Sequence, residues 1–336
     1  MSKSSVPSSP VFIDLTAPLA TLEAQLAHFA AGGVTALAAT VGYGTPELGN
    51  ASFTLKTLGS WFQRFRERED LIHILTVADI LRAQTENKLG IIFHFQGSLP
   101  VESDLNLLEA YHRLGLRMFQ LCYNTEDFLG CGCTVKTDTG LTELGRAAID
   151  ELNRLGIVVD CAHTGRTTTM DTLALSRAPV IISHGNARAV SPSARNLDDD
   201  IIKAVADTGG VVGVNGFPAF VTQNQRPDLS HLIAHIRHMV NVAGEDHVAV
   251  GMDYFEYQDG VETLETAKLV YDYLIESKAW DAADYPPPPW QYPRGVEVPQ
   301  KLFNLIPGLE QAGFTTSQVE KIIGVNALRV FEGIWK

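Results

Sequence analysis

The chain has 336 residues, 45% of them hydrophobic and 19% charged, the make-up of a soluble globular protein with a large core. A formal net charge of −13 disfavours nucleic acid and anionic membrane surfaces as partners. No apolar run is long enough to span a bilayer, and the opening MSKSSVPSSP has no apolar h-region. No membrane association is therefore expected, and a cytoplasmic location is, with the four cysteines reduced.

Residues 1–10 read as a flexible N-terminus. Val11–Leu15 (VFIDL) reads as the first strand. Thr21–Ala31 has helical spacing at Leu22, Leu26 and Phe29 and stops at Gly32-Gly33. Val34–Val41 is the second strand, followed by a Gly-rich loop and a helix around Leu58–Glu69. Leu71–Val77 reads as a minor strand and Ala78–Thr85 as a helix. Ile91–Phe95 is the third strand, Leu105–Leu114 a helix and Leu116–Cys122 the fourth strand. A loop, Tyr123–Thr139, leads to a helix at Leu141–Leu155, ended by Gly156. Ile157–Cys161 and Val180–Ser183 are strands five and six, with a helix-like segment between them. The helix Asp198–Thr208, strand seven (Val211–Asn215), the amphipathic helix Leu229–Ala243 and strand eight (Val248–Met252) complete the alternation.

Eight strands alternating with helices, mostly without hairpin signals, predict a closed (β/α)8 TIM barrel, one domain over residues 1–336. A doubly wound open sheet is disfavoured, because no GxGxxG or P-loop follows the first strand. Residues 254–300 form a long, aromatic, Pro-rich segment after strand eight, read as a lid or a subunit-interface insertion. Leu302–Ala312 and Ser317–Phe331 read as closing helices.

In such a barrel the chemistry lies at the carboxyl ends of the strands. His163 and His184 end strands five and six, which should be parallel neighbours. Two imidazoles placed so converge on one point, and neutral imidazole is the commonest protein ligand for a transition metal. Asp253 follows strand eight. His94 and Gln96 share one face of strand three by their i, i+2 spacing. His231, His235 and His238 fall at i, i+4 and i+7 of a helix away from that mouth and read as ordinary helix-face residues. Cys131-Gly-Cys133 is a lone CxC with no zinc-knuckle spacing.

The strings LGLRMFQLCYN, GLTELGRAAIDELNRLGIVVDCAH, APVIISHGNARAVSPSARNLDDD, GGVVGVN and HLIAHIRHMVNVAGEDHVAVGMD resemble the membrane dipeptidase-like (renal dipeptidase, peptidase M19) metallohydrolases. The resemblance runs from about Leu105 to Asp253 and again through the C-terminal helix. It implies a (β/α)8 barrel, a homodimer and a site with two zinc ions. The family pattern has an HxD pair on strand one, a bridging Glu on strand three and one His after each of strands five and six. The last two match His163 and His184. Asp253 matches the family's general acid/base, and Arg188 in SHGNAR matches an Arg that grips a substrate carboxylate.

The departures are specific. On strand one, either Phe12 replaces the His while Asp14 keeps the Asp position, or Thr16 and Pro18 stand at both ligand positions. Gln96 stands at the bridging Glu, and Tyr123 at a further His. The expectation is therefore a single-metal hydrolase of a small carboxylated amide or dipeptide-like substrate. Its metal ligands are drawn from His163, His184, His94, Gln96 and Asp14, with Asp253 as the catalytic residue. Arg188, Tyr123, Asn124 and Asn186 are expected to bind substrate. Zinc is the first choice, with iron, manganese or nickel compatible with N/O ligands. A non-catalytic binding protein and a single-metal decarboxylase or lyase are the alternatives.

Overall fold

A computed structural model describes residues 9–18, 23–223, 225–255, 258 and 263–336. Most of the flexible-N-terminus expectation, the start of the first helix and part of the 254–300 segment lie outside them. Nine strands occur among the described residues: β1 (Ile13–Ala17), β2 (Ala36–Tyr43), β3 (Leu71–His73), β4 (Leu89–Gln96), β5 (Leu116–Gln120), β6 (Val158–Asp160), β7 (Val180–Ile181), β8 (Val212–Val214) and β9 (Val248–Val250). Every ladder is parallel, in the order β1-β2-β4-β5-β6-β7, with β8 paired to β9. β3 pairs with the opening residues of β4, and β5 takes over from Phe93 onward.

Parallel strands need crossovers, and the amphipathic helices supply them. Successive residues of each strand face opposite sides. Ile13, Leu15, Ala36, Ala38, Ile92, Met118, Val158 and Ile181 share one apolar cluster, which fills the inside of the curl. The alternate residues Leu37, Ala39, Ile91, Phe93, Phe119, Val159 and Val180 belong to the larger core. The C-terminal helix Asn326–Ile334 joins the inner cluster through Ala327, Val330, Phe331 and Ile334.

The sheet is curled as a barrel requires, but it is open at one seam, a correction to the closed ring expected from sequence. β7 reaches β8 through an isolated bridge, Ile182 to Val212. β9 lies beside β1 with no ladder between them among the described residues. Asp14 Oδ1 accepts the Met252 N–H at 3.0 Å, occupying a donor that a strand partner would otherwise use. The mouth is also tightly drawn at Ser183. A Cβ on Gly213 or Gly251 would lie 2.0 or 1.9 Å from the Ser183 carbonyl oxygen, so only glycine permits this approach. No helix among the described residues is long and apolar enough to cross a membrane.

Candidate metal and substrate site

His163 and His184 converge where their strands end. Their Nε2 atoms are 2.8 Å apart and both rings are buried. The hydrogen bonds at Nδ1 settle which nitrogens carry protons. The Asn124 amide gives Nδ2–H to the Ala279 carbonyl at 2.9 Å, so its Oδ1 faces His163 Nδ1 at 2.7 Å and accepts that proton. His184 Nδ1 faces the Ser183 and Thr16 hydroxyls at 2.8 and 3.0 Å. Both hydroxyls spend their proton elsewhere: Ser183 on the Asp160 carboxylate, Thr16 on the Leu15 carbonyl. They can only accept from His184, which is therefore also protonated at Nδ1. Burial, with the Arg195 charge adding to it, pushes both imidazoles well below the ordinary histidine range, so each is neutral. Two bare Nε2 lone pairs thus meet at one place, a donor pair that a shared cation would satisfy.

Asp160 anchors this wiring. Its oxygens accept from the Ala162 and Ser183 amides, the Ser183 hydroxyl and His94 Nε2. Burial alone would raise its pKa, but the hydrogen bond and charge of His94 outweigh that and hold the carboxyl low. The backbones of His163 and Asp253 are both left-handed, with φ of 62° and 53°. Such positions cost about 1–3 kcal/mol each and collect at functional sites. Asp253 Oδ2 lies 3.9 Å from His184 Nε2 and accepts from Asn215 Nδ2 at 3.4 Å. Burial, opposed by Arg195, raises its carboxyl to about 7.

Several expected site residues are placed otherwise. His94 is inside the curl, but one layer deeper than the pair. Its Nε2 meets Asp160 at 3.0 Å, so it supports the site and does not face the pair. Asp14 uses Oδ1 on the Thr16 and Met252 amides, while its buried Oδ2 has no partner among the described residues. Burial raises Asp14 to about 7, against those two amide hydrogen bonds. Asn124 is fully buried and its amide is consumed by His163, Ala279 and Tyr285, which makes it an orienting group for His163 and not a substrate contact. Asn186 is likewise spent on the backbone of Asn215. Phe12 is in the main core, whereas Thr16 touches His184 and Pro18 lines the cavity beside His163.

Arg188 does not reach the pair. Its side chain is 43% exposed and holds Asp198 and the Asn196 carbonyl. That grip fixes the turn carrying Arg195, the residue sequence reasoning missed. Arg195 is 3% exposed, sits over the Phe220 ring, and has Nε and Nη2 buried without partners among the described residues. A buried guanidinium with unused donors is costly unless an anion meets it. Gln96 and Tyr123 do reach the site, lining a cavity with His163 and Asp253. Gln96 Nε2 is a buried donor without a partner among the described residues. Tyr123 stacks on His163 with ring centres 4.1 Å apart, and its hydroxyl accepts from Trp280 Nε1. Of the long segment after strand eight, the described part packs over this cavity through Trp280 and Tyr285.

The profile of the membrane dipeptidase family, peptidase family M19, matches residues 13–286. The chain belongs to that family. It is 28% identical over 272 residues to an uncharacterised protein of the pqqA 5′ region of Klebsiella pneumoniae, covering 78% of this chain and 88% of that protein. Among solved structures it is similar to an amidohydrolase from Pseudomonas aeruginosa, with 26% identity, a TM-score of 0.84, and 98% and 97% of the two chains covered. It also shares its fold with a metallopeptidase of Rhodobacter sphaeroides solved with a phosphinate mimic of L-Ala-D-Ala, at 22% identity, a TM-score of 0.79, and 97% and 99% coverage. Membership of the M19 family makes this a dipeptidase-like hydrolase and implies a divalent metal.

The residues present fit part of what the M19 pattern implies. The facing Nε2 atoms of His163 and His184 form a two-donor set for one ion. Beside the pair, the cavity is lined by Pro18, Gln96 and Tyr123, and the unpartnered atom of Gln96 is a donor, which does not suit a second ion. Among the described residues no group of three or more His, Cys, Asp and Glu side chains is disposed to hold a metal.

Proposed function

We propose that this chain hydrolyses the amide bond of a small dipeptide-like substrate bearing a carboxylate, with one divalent ion on His163 and His184. The observation that carries this reading is the pair of Nε2 atoms 2.8 Å apart, both stripped of protons by fixed partners at Nδ1. Zinc suits such a set first, and iron, manganese or nickel also bind N/O donors. A bound divalent ion supplies Lewis acidity toward a carbonyl and toward water.

The chain's own residues do the rest. Asp253 takes a proton from the attacking water and returns it to the leaving nitrogen. Burial raises its carboxyl above the ordinary range in the metal-free chain, the direction that favours returning a proton. Arg195 receives the substrate carboxylate, for which a planar guanidinium offers two parallel donors. Asn124, Thr16 and Ser183 keep the imidazoles aimed. Gln96 Nε2 and the aromatic walls orient the substrate and exclude water.

A binding role without catalysis is the second reading, favoured by the absence of a three-residue metal set among the described residues. Elemental analysis separates the two. Protein from cells grown with zinc, iron and manganese is expected to hold about one equivalent of metal per chain, lost in the His163→Ala/His184→Ala double variant. Wild-type protein that emerges metal-free ends the hydrolase reading.

A further inference from the structure

Two cavities meet at His163 and differ in chemistry. The larger, about 340 Å³, has Asp253 and Gln96 on its inner wall and is otherwise dominated by rings, among them Tyr123, Phe217, Trp280 and Tyr285. The smaller, about 180 Å³, is polar and holds Arg195, Arg188 and Cys133. His163 is common to both linings, so its ring stands between an aromatic cavity and a polar one.

The rings of the larger cavity are fixed in place. Trp280 stacks on Tyr285 with centres 4.2 Å apart, and its indole N–H is held by the Tyr123 hydroxyl at 2.9 Å. Phe217 packs edge-on to both Trp280 and Tyr285. Rigid aromatic walls present flat apolar surface with little ordering cost, which suits another ring. Pro18, Gln96 and Tyr123 all line this cavity. Besides its rings and Asp253, this cavity presents one neutral side-chain amide, that of Gln96. Its Nε2 is a buried donor without a partner among the described residues, the complement of a carbonyl oxygen.

We propose that the acyl side of the substrate carries an aromatic ring seated in the larger cavity, while the carboxylate side, with a small side chain, lies in the smaller cavity toward Arg195. The substrate class is an aromatic-acyl amino acid. This rests on the hydrolase reading above. Water adds to the acyl carbon, the carbon–nitrogen bond breaks, and the products are an aromatic acid and a free amino acid.

The test uses three probes that share an acyl-amide and a carboxylate: phenylacetylglycine, with the ring on the acyl side; acetylphenylalanine, with it on the carboxylate side; and acetylglycine, with none. Affinity is read by tryptophan fluorescence and calorimetry on the full-length Asp253→Asn protein, which binds without turnover, and again on metal-free wild-type protein. Phenylacetylglycine is expected to bind at least about tenfold more tightly than either of the others. Equal affinity for phenylacetylglycine and acetylphenylalanine, or for phenylacetylglycine and acetylglycine, overturns the proposal. Hydrolysis of the three by the metal-loaded wild type is scored separately. Ring preference without turnover leaves the cavity's specificity standing and removes the hydrolase reading. Turnover without ring preference does the reverse.

Discussion

Two arginines of one short stretch do different work, and the difference sets a measurable expectation. Arg188 is partly exposed and paired with Asp198, whereas Arg195 is buried with donors to spare. Replacing Arg195 with Met should raise KM for a carboxylate substrate by ~10²-fold, with little change for the same substrate carrying a carboxamide, because a charge-assisted pair is lost only in the first case. Arg188→Met should weaken both substrates alike, through loosening of the turn. Steady-state kinetics on the matched pair checks this. The meeting of His163 and His184 was legible in sequence because two neighbouring parallel strands ending in histidine leave few other outcomes. Arg195 was not legible, because a turn rich in Ser, Pro and Ala has no period from which direction could be read. The signal available for Asp160 was a charged residue inside the apolar run Ile157–Cys161. Such a residue needs a partner, and His94 and Ser183 provide it.

Among the elements, the helix Leu229–Ala243 shows how spacing misleads and burial decides. His231, His235 and His238 share a face by count, yet each serves a different partner. His231 closes the capping box with Asp228, and His238 meets Asp199. His235 is fully buried, accepts the Ala187 N–H at Nδ1 and donates Nε2–H to the Val221 carbonyl. Burial pushes its pKa from 6.5 down to about 4. Between those values the unfolded chain binds a proton that the folded chain refuses. The share of stability that His235 contributes therefore falls as pH drops from 6.5 toward 4, by about 3 kcal/mol, and levels off below. Urea denaturation of metal-free protein across this range should show the loss, and His235→Gln should reduce it by that share, the similarly depressed His73, His163 and His184 keeping the rest. The strands were legible from β-branched runs and the helices from their apolar faces. Boundaries were less so: Val180–Ser183 contains only the two-residue strand Val180–Ile181, because Ser183 turns its hydroxyl and amide to Asp160.

For the molecule as a whole, the barrel class followed from the alternation of strand and helix, but the open seam did not. Periodicity reports which face a residue takes, not whether the first and last strands are laddered. The Asp14 carboxylate bridges the seam by accepting the Thr16 and Met252 amides. Asp14→Ala would leave two buried N–H groups unpaired and should cost about 1–3 kcal/mol in equilibrium unfolding of metal-free protein, whereas Asp14→Asn, which keeps an acceptor, should recover most of it. A shared loss by both variants would mean that the carboxylate's charge matters more than its hydrogen bonds.

The shared wall at His163 has a kinetic consequence. In the proposed binding mode the two fragments of a cut bond occupy different cavities, one on each side of His163. That mode predicts departure in either order and simultaneous occupancy by both fragments. In double-inhibition experiments the two products should then act synergistically or independently, giving intersecting lines, and each alone should compete with the intact molecule.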